Sequence, residues 1–220
     1  MGMEQAWLLP AIPAALFVVI ALFHRVMPRH GDWAAILGMV TVIGLSAAIV
    51  LDFQDGGVNS YSFEWLTIGN GFFVIDFSTY VDSVTIVMLA AITIVTLMVM
   101  VYSVGYMHGD TRYGWYFAVL SLFAAAMLTL VISGNLILLY LAWEGVGLAS
   151  YLLIGFWWER QSAAEAAKKA FITTRIGDVG LLIGIILLWR GAGTFDIQQI
   201  IHFAEDGGFD EKYLTITMLF

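Results

Sequence analysis

Apolar residues run in long stretches, broken by short polar segments, along almost the whole of this 220-residue chain. About 20 apolar residues are needed to cross a bilayer as a helix. Six stretches reach that length: 5–24, 33–51, 83–107, 113–132, 136–157 and 169–190. A seventh starts near Tyr213 and is still apolar at Phe220, which predicts a chain cut short at its C-terminus. Two segments depart from the pattern. Residues 56–80 alternate in part (Val58, Tyr61, Phe63, Trp65, Ile68) between Gly56-Gly57 and Gly69-Asn70-Gly71, which predicts a short external hairpin. Residues 195–205, from Phe195 to Glu205, have the pattern of a short amphipathic helix lying on the outer surface. The expected fold is therefore all-α: a polytopic transmembrane helix bundle with one short external β-hairpin.

Composition supports a membrane setting. The chain is 61% hydrophobic and 12% charged, with a mean hydropathy of +0.90. Soluble domains carry about 25% charged residues, so this chain has too few charges to cover a water-facing surface. Cysteine is absent, which excludes disulfides, thiolate-held zinc and iron–sulfur clusters within these residues. Neither GxGxxG nor GxxxxGK[ST] occurs, so no dinucleotide or P-loop site is indicated. The net charge of −8 does not suit nucleic acid. The start, Met1-Gly2-Met3-Glu4, has no basic n-region, so no cleavable signal peptide is expected.

The charged residues are distributed unevenly. The loops after the first, third and fifth spans hold Arg25 and Arg29, then Arg112, then Arg160, Lys168 and Lys169. The alternate loops hold only Arg190 and Lys212 and are acidic: Asp52, Asp55, Glu64, Asp76 and Asp82 in one, Asp196, Glu205, Asp206, Asp210 and Glu211 in the other. Basic loops stay in the cytoplasm, so the N-terminus is expected outside. Trp7, Trp33, Trp115, Trp157, Trp158 and Trp189 fall near span ends, as an interfacial belt would, although packing alone would also explain any one of them. His24, His30, His108 and His202 fall in loops or near span ends without ligand spacing, and the ten methionines suit apolar packing.

Three ionisable residues lie inside spans. Glu144 is near the middle of the fifth, in Leu141-Ala-Trp-Glu-Gly-Val-Gly147. Arg175 and Asp178 are in the sixth, in Lys169-Ala-Phe-Ile-Thr-Thr-Arg-Ile-Gly-Asp178. An Asp, Lys or Arg at a helix centre costs about 2.5–3.5 kcal/mol to insert, and three such groups cost up to roughly 10 kcal/mol. A domain's whole stability is about 5–15 kcal/mol, so these groups must face protein or water, and something other than stability favours them. Arg175 and Asp178 are three apart and share a helix face. Lys168 is on nearly the same stripe, whereas Lys169 is rotated about opposite Asp178. Two plain structural roles stay open: a neutralising Arg175–Asp178 ion pair that locks two helices, and a protonated interhelical hydrogen bond at Glu144. Because low dielectric favours a neutral carboxyl and a nearby cation favours its charged form, a moving cation can make such a group load and release a proton. Gly145, Gly147 and Ser150 are small enough to let a helix or water approach Glu144.

At these residues the sequence resembles the antiporter-like subunits of respiratory complex I, most closely the large L subunit (subunit 5 in mitochondria). The resemblance rests on Trp143-Glu-Gly-Val-Gly147, Ser150-Tyr-Leu-Leu-Ile-Gly-Phe-Trp157 and the Lys169–Asp178 block, with Tyr102-Ser-Val-Gly-Tyr-Met107 and the acidic hairpin in support. It runs through the whole chain. Ala142 departs from it, where relatives often have Gly. It implies a fold of about fourteen core helices with two inverted five-helix repeats. Residues 1–112 would be leading helices with the external hairpin, and 113–220 the first part of the proton-translocating repeat. It also implies that Glu144 is the glutamate of the proton site, working with a lysine beyond these residues, and that Lys169, Arg175 and Asp178 belong to its charged surroundings.

The expected function is that of a membrane subunit of proton-pumping NADH:quinone oxidoreductase, with no cofactor in this chain. NADH, FMN, iron–sulfur clusters and quinone would sit in partner subunits, and its other partners would be neighbouring membrane subunits, lipid and protons. The expected location is a bacterial plasma membrane. The alternative is the large subunit of a multisubunit Mrp-type sodium/proton antiporter, and a membrane-bound hydrogenase subunit is a third. The buried charges disfavour a purely structural membrane protein.

Overall fold

Each long apolar run folds as a helix, since a spanning segment must satisfy its backbone internally. The computed structural model describes residues 5–53, 59–68 and 73–218. In chain order they form α1 (Leu8–Phe23), a 3₁₀ turn (Pro28–Gly31), α2 (Asp32–Asp52), β1 (Asn59–Ile68), β2 (Phe73–Val81), α3 (Ser83–Tyr106), α4 (Tyr113–Ile132), α5 (Leu136–Ile154), α6 (Gln161–Ala192), α7 (Ile197–Glu205) and α8 (Glu211–Thr217). Among the described residues, five helices are long and apolar enough to cross a membrane: the segment Pro28–Asp52 containing α2, and α3 to α6.

Two boundaries differ from the sequence expectation. The first span, placed at 5–24, is a helix of 16 residues, about 24 Å at 1.5 Å per residue and shorter than the roughly 30 Å hydrocarbon core. Hydropathy counts apolar residues whether or not they are helical, and here the helix starts only at Leu8. The sixth, placed at 169–190, starts eight residues earlier and reaches 32 residues, roughly 48 Å. Ala163, Ala164, Ala166, Ala167 and Ala170 are strong helix formers, and Gln161 donates to Glu165 at 2.8 Å, so helix continues where hydropathy falls. The apolar run near Tyr213 is described as far as Met218 and is helical as α8.

Short polar side chains start the helices on one side of the bundle. Asp82 accepts from the Thr85 amide at 2.7 Å, Asn135 from that of Leu138 at 2.6 Å and Asp196 from that of Gln199 at 2.9 Å, capping α3, α5 and α7. The β1–β2 hairpin pairs antiparallel from Asn59↔Val81 to Ile68↔Phe73, with an irregularity between Glu64 and Leu66. The expected Gly56-Gly57 entrance, Val58 and the Gly69–Asn70–Gly71 turn lie outside the described residues. The hairpin is tied to the α4–α5 connection by the Gly134 amide, 2.8 Å from the Ser78 carbonyl. A Cβ at Gly134 would sit 2.7 Å from Ser78 Oγ, so only glycine permits this approach. Leu136 in turn donates to the Phe195 carbonyl at 2.9 Å, and Ile197 to that of Gly134 at 3.1 Å, docking the start of α7. The surface helix expected over 195–205 is thus present as α7.

The other side is locked by two carboxylates, those of Asp32 and Asp110. Asp32, 1% exposed, accepts from the Trp33 amide at 2.6 Å, from Tyr113 Oη at 2.8 Å and from Arg29 at 3.0 Å. Arg29 and His30 take left-handed backbone angles before Gly31 (φ 52°, 56° and 89°), a costly run for two non-glycine residues that the Asp32 bonds help to hold. Asp110, between α3 and α4, accepts from the Arg112 amide at 2.8 Å and the Trp157 indole at 2.9 Å. The Arg112 amide first, and then the Trp157 indole, hold its carboxyl below the usual carboxylate value. Trp157 is therefore a specific clamp between the α5 end and the α3–α4 connection.

α4 is the centre of the bundle, with 56% of its apolar stretch buried. Phe117, Leu128 and Ile132 on α4 pack with Leu9 and Ile20 of α1, Met39 and Val42 of α2, and Leu89 and Met100 of α3 in one apolar core. That core crosses the expected division at 112. Gly114 lets α4 meet the end of α1, since a Cβ there would fall 2.6 Å from His24 Cβ. α5 and α6 lie at the edge, with only 11% and 17% of their apolar stretches buried.

Candidate functional site

α5 and α6 pack side by side, and their polar residues face each other midway along both helices. Arg175 of α6 forms an ion pair across the gap with Glu144 of α5. The same nitrogen, Nη1, lies 3.5 Å from Asp178 Oδ2, one turn on. The other Asp178 oxygen accepts a 2.7 Å hydrogen bond from the indole nitrogen of Trp143. The guanidinium stacks over the Phe171 ring, its Cζ 4.5 Å from the centroid, a geometry that favours a cation. Asp178 has a side chain 6% exposed, and those of Glu144 and Arg175 are 22% and 30% exposed.

Of the four residues singled out from the sequence, the structure brings three together. Glu144 has no cation on its own helix, as expected; its partner comes from α6. The expected Arg175–Asp178 pair is present, but Arg175 is shared. Lys169 is not in the cluster. It lies nine residues, or half a turn net, from Asp178 at 3.6 residues per turn, and it makes no ion pair with a described residue. Gly145 faces α4, where an added Cβ would come 3.2 Å from that of Ala126, whereas Gly147 has open space. Ser150 is spent locally on the Gly147 carbonyl at 2.9 Å.

Sequence reasoning misses one participant, Trp143, and one buried acceptor away from the cluster, Asp32. Trp143 reads in the sequence as part of a motif, not as a donor, because its bond to Asp178 depends on how α5 and α6 cross. Asp32 is hidden within a basic loop, although an acidic residue immediately before an apolar run is a helix-start signal. With Arg29, His30, His108, Asp110 and Tyr113, Asp32 lines a cavity of about 570 Å³. Among the described residues, no group of three or more His, Cys, Asp or Glu is placed to hold a metal ion.

The cluster is chemically two acids and one permanently charged cation. With both acids ionised it carries one net negative charge, and uptake of one proton makes it neutral.

Two family models match the chain. One, described as NADH-Ubiquinone oxidoreductase (complex I), chain 5 N-terminus, covers residues 65–117. The other, described as NADH:quinone oxidoreductase/Mrp antiporter, TM, covers 133–220, and so includes Trp143, Glu144, Lys169, Arg175 and Asp178. This chain belongs to the antiporter-like membrane subunits of complex I and its relatives. It is 42% identical over 201 residues to a chloroplastic NAD(P)H-quinone oxidoreductase subunit 5 from Piper cenocladum, a match that covers 89% of this chain and 27% of the relative. It is also 42% identical over 222 residues to the F(420)H(2) dehydrogenase subunit L of Methanosarcina mazei, covering 98% of this chain and 31% of that one. The chain thus spans about three tenths of the length of these curated relatives. Among solved structures, the Mrp complex from Dietzia sp. superposes with a TM-score of 0.74 over 89% of this chain and 20% of that one, at 23% identity, a likeness of fold.

Proposed function

We propose that this antiporter-like chain supplies part of the transmembrane proton path of a proton-pumping NADH:quinone oxidoreductase. The observation that carries this is the sharing of one cation, Arg175, by two carboxyls, Glu144 and Asp178, between α5 and α6. When Arg175 leans toward Glu144, the charged form of Glu144 is favoured. When it leans toward Asp178, Glu144 is left without a cation and takes up a proton. The Trp143 indole keeps one Asp178 oxygen bonded in either case. Lys169, on the far face of α6, would act through a different neighbour in the full subunit. Residues 113–220 form the first part of the translocating repeat and 1–112 its leading helices. Electron transfer takes place in partner subunits that hold NADH, FMN, iron–sulfur clusters and quinone.

A second function is supported by the joint description of the matching family model and by the Mrp superposition: the large subunit of a sodium/proton antiporter. The two separate experimentally. The full-length subunit, purified from its native membrane, is expected to bring down nicotinamide-oxidising and quinone-binding subunits, and its vesicles to acidify on addition of the electron donor. Sodium-driven proton movement without a donor, and without such subunits, would establish the antiporter instead.

The membrane is a bacterial plasma membrane, with the N-terminus outside and the Arg25, Arg112 and Arg160–Lys169 loops in the cytoplasm. Ser162, exposed in the first turn of α6, tests this orientation. A cysteine there, in intact cells, is expected to resist a membrane-impermeant thiol reagent and to react once the cells are opened. Labelling from outside would invert the topology.

A further inference from the structure

Trp143 and Glu144 are consecutive on α5, so their side chains leave the helix about 100° apart and reach α6 at two neighbouring points. Glu144 meets Arg175. Trp143 meets Asp178, one turn further on, its indole N–H donating to Oδ1 at 2.7 Å. That is short for an N–H···O bond, as bonds to ionised acceptors are. The two acids of the cluster are therefore not equivalent. Both Asp178 oxygens face donors, Oδ1 the indole and Oδ2 the guanidinium at 3.5 Å. Indole and guanidinium N–H groups donate and do not accept, so an acid proton on Asp178 would point at another N–H. The carboxyl is also buried, with little access for water. Glu144 is met by Arg175 alone among the described residues, and its side chain is 22% exposed. Once Arg175 turns away, both Glu144 oxygens are open.

We infer that Trp143 is a positioning residue that decides which acid takes the proton, an assignment that rests on the reading of Glu144 as the proton carrier. Its indole N–H holds Asp178 as the lasting carboxylate of the cluster, and the proton loads on Glu144. Without that bond, a move of Arg175 onto Glu144 would leave Asp178 with no donor on either oxygen. Asp178 would then compete with Glu144 for the same proton, which would pass between the two acids instead of across the membrane. With the bond in place, Asp178 stays an anion that draws Arg175 back, and Glu144 is the carboxyl that fills and empties. The plainer role, a tie between helices that satisfies an indole N–H away from water, gives Trp143 no influence over protonation. Spectroscopy separates the two.

The test uses the complete complex with the full-length subunit and reads infrared difference spectra between resting and turning-over states. Two changes are made at position 143. One is Trp143→Phe. The other, through a suppressor codon, is benzothienylalanine, which keeps the bicyclic ring but carries sulfur in place of the N–H. In the unaltered complex the C=O band of a neutral acid is expected to arise from Glu144 and to vanish in Glu144→Gln. Both changes at 143 are expected to add a second such band, which Asp178→Asn in the same background removes. The Asp178 band is expected to grow about tenfold or more relative to that of Glu144, the lower end for loss of one hydrogen bond to a charged group. Tryptophan delivered through the same codon is expected to restore the original spectrum. A Glu144 band with no Asp178 band in either variant would overturn the role of Trp143 and leave that of Glu144 standing. A second band with phenylalanine but not with benzothienylalanine would trace the effect to ring packing and overturn it as well. Absence of a Glu144 band from the unaltered complex would overturn both roles.

Discussion

Glu144→Gln in the full-length subunit is expected to insert and assemble almost normally while cutting electron-driven proton pumping by about tenfold or more. Glutamine keeps the size and hydrogen-bonding capacity of glutamate but cannot carry a proton as charge. The nearby Arg175 cation retains Asp178 as counter-ion at 3.5 Å, so no uncompensated charge is created and folding has little to lose. Tenfold corresponds to about 1.4 kcal/mol in a rate-limiting barrier, a modest demand beside the roughly 10²–10⁴-fold usual for a positioned proton-transfer group. Glu144→Asp keeps the acid but withdraws it by one methylene, which lengthens its reach to Arg175, and is expected to retain partial function. If Glu144 were only a neutral hydrogen-bonding contact between helices, the order would reverse, with glutamine tolerated and aspartate worse. Pumping in sealed vesicles, normalised to assembled complex, separates the two orders.

Arg175→Gln is expected to be the most damaging change in the cluster for assembly. It leaves two carboxyls, on Glu144 and Asp178, without their shared cation. Breaking a buried pair on one side costs about 3–5 kcal/mol, and the partial exposure of Arg175 puts this case at the lower end. Asp178→Asn is expected to be milder, because Arg175 keeps Glu144 and the asparagine amide still offers an oxygen to the Trp143 indole. The double variant Arg175→Gln/Asp178→Asn is expected to assemble better than the sum of the single losses, by a coupling of about 1 kcal/mol or more. Additive losses in assembled complex would mean that Arg175 and Asp178 answer to separate partners.

The spans were legible in the sequence because hydrocarbon thickness fixes a length that polar breaks mark out. What length could not show was where helix and hydrophobicity part company. α1 starts inside its apolar run, only at Leu8, and α6 outruns its own on alanine-rich turns. The hairpin was visible through alternation and glycine, whereas the irregularity between Glu64 and Leu66 is set by pairing between strands. Helical spacing gave the Arg175–Asp178 pair and the opposite placement of Lys169, both being properties of a single helix. It could not give the Arg175–Glu144 contact or the Trp143–Asp178 bond, which exist only once α5 and α6 are packed. Asp32 escaped for the same reason, since its acceptor role is completed by Tyr113, 81 residues away.

The most direct measurement of a proton on Glu144 is the infrared difference spectrum of the complete complex, recorded between resting and turning-over states. A carboxyl that changes protonation gains or loses the C=O stretch of the neutral acid. Wild-type complex is expected to show such a band, shifting in D₂O, and Glu144→Gln to lack that band while the remaining carboxyl signals persist. A Glu144→Gln spectrum that keeps every carboxyl band, together with normal pumping, would contradict a proton-carrying Glu144.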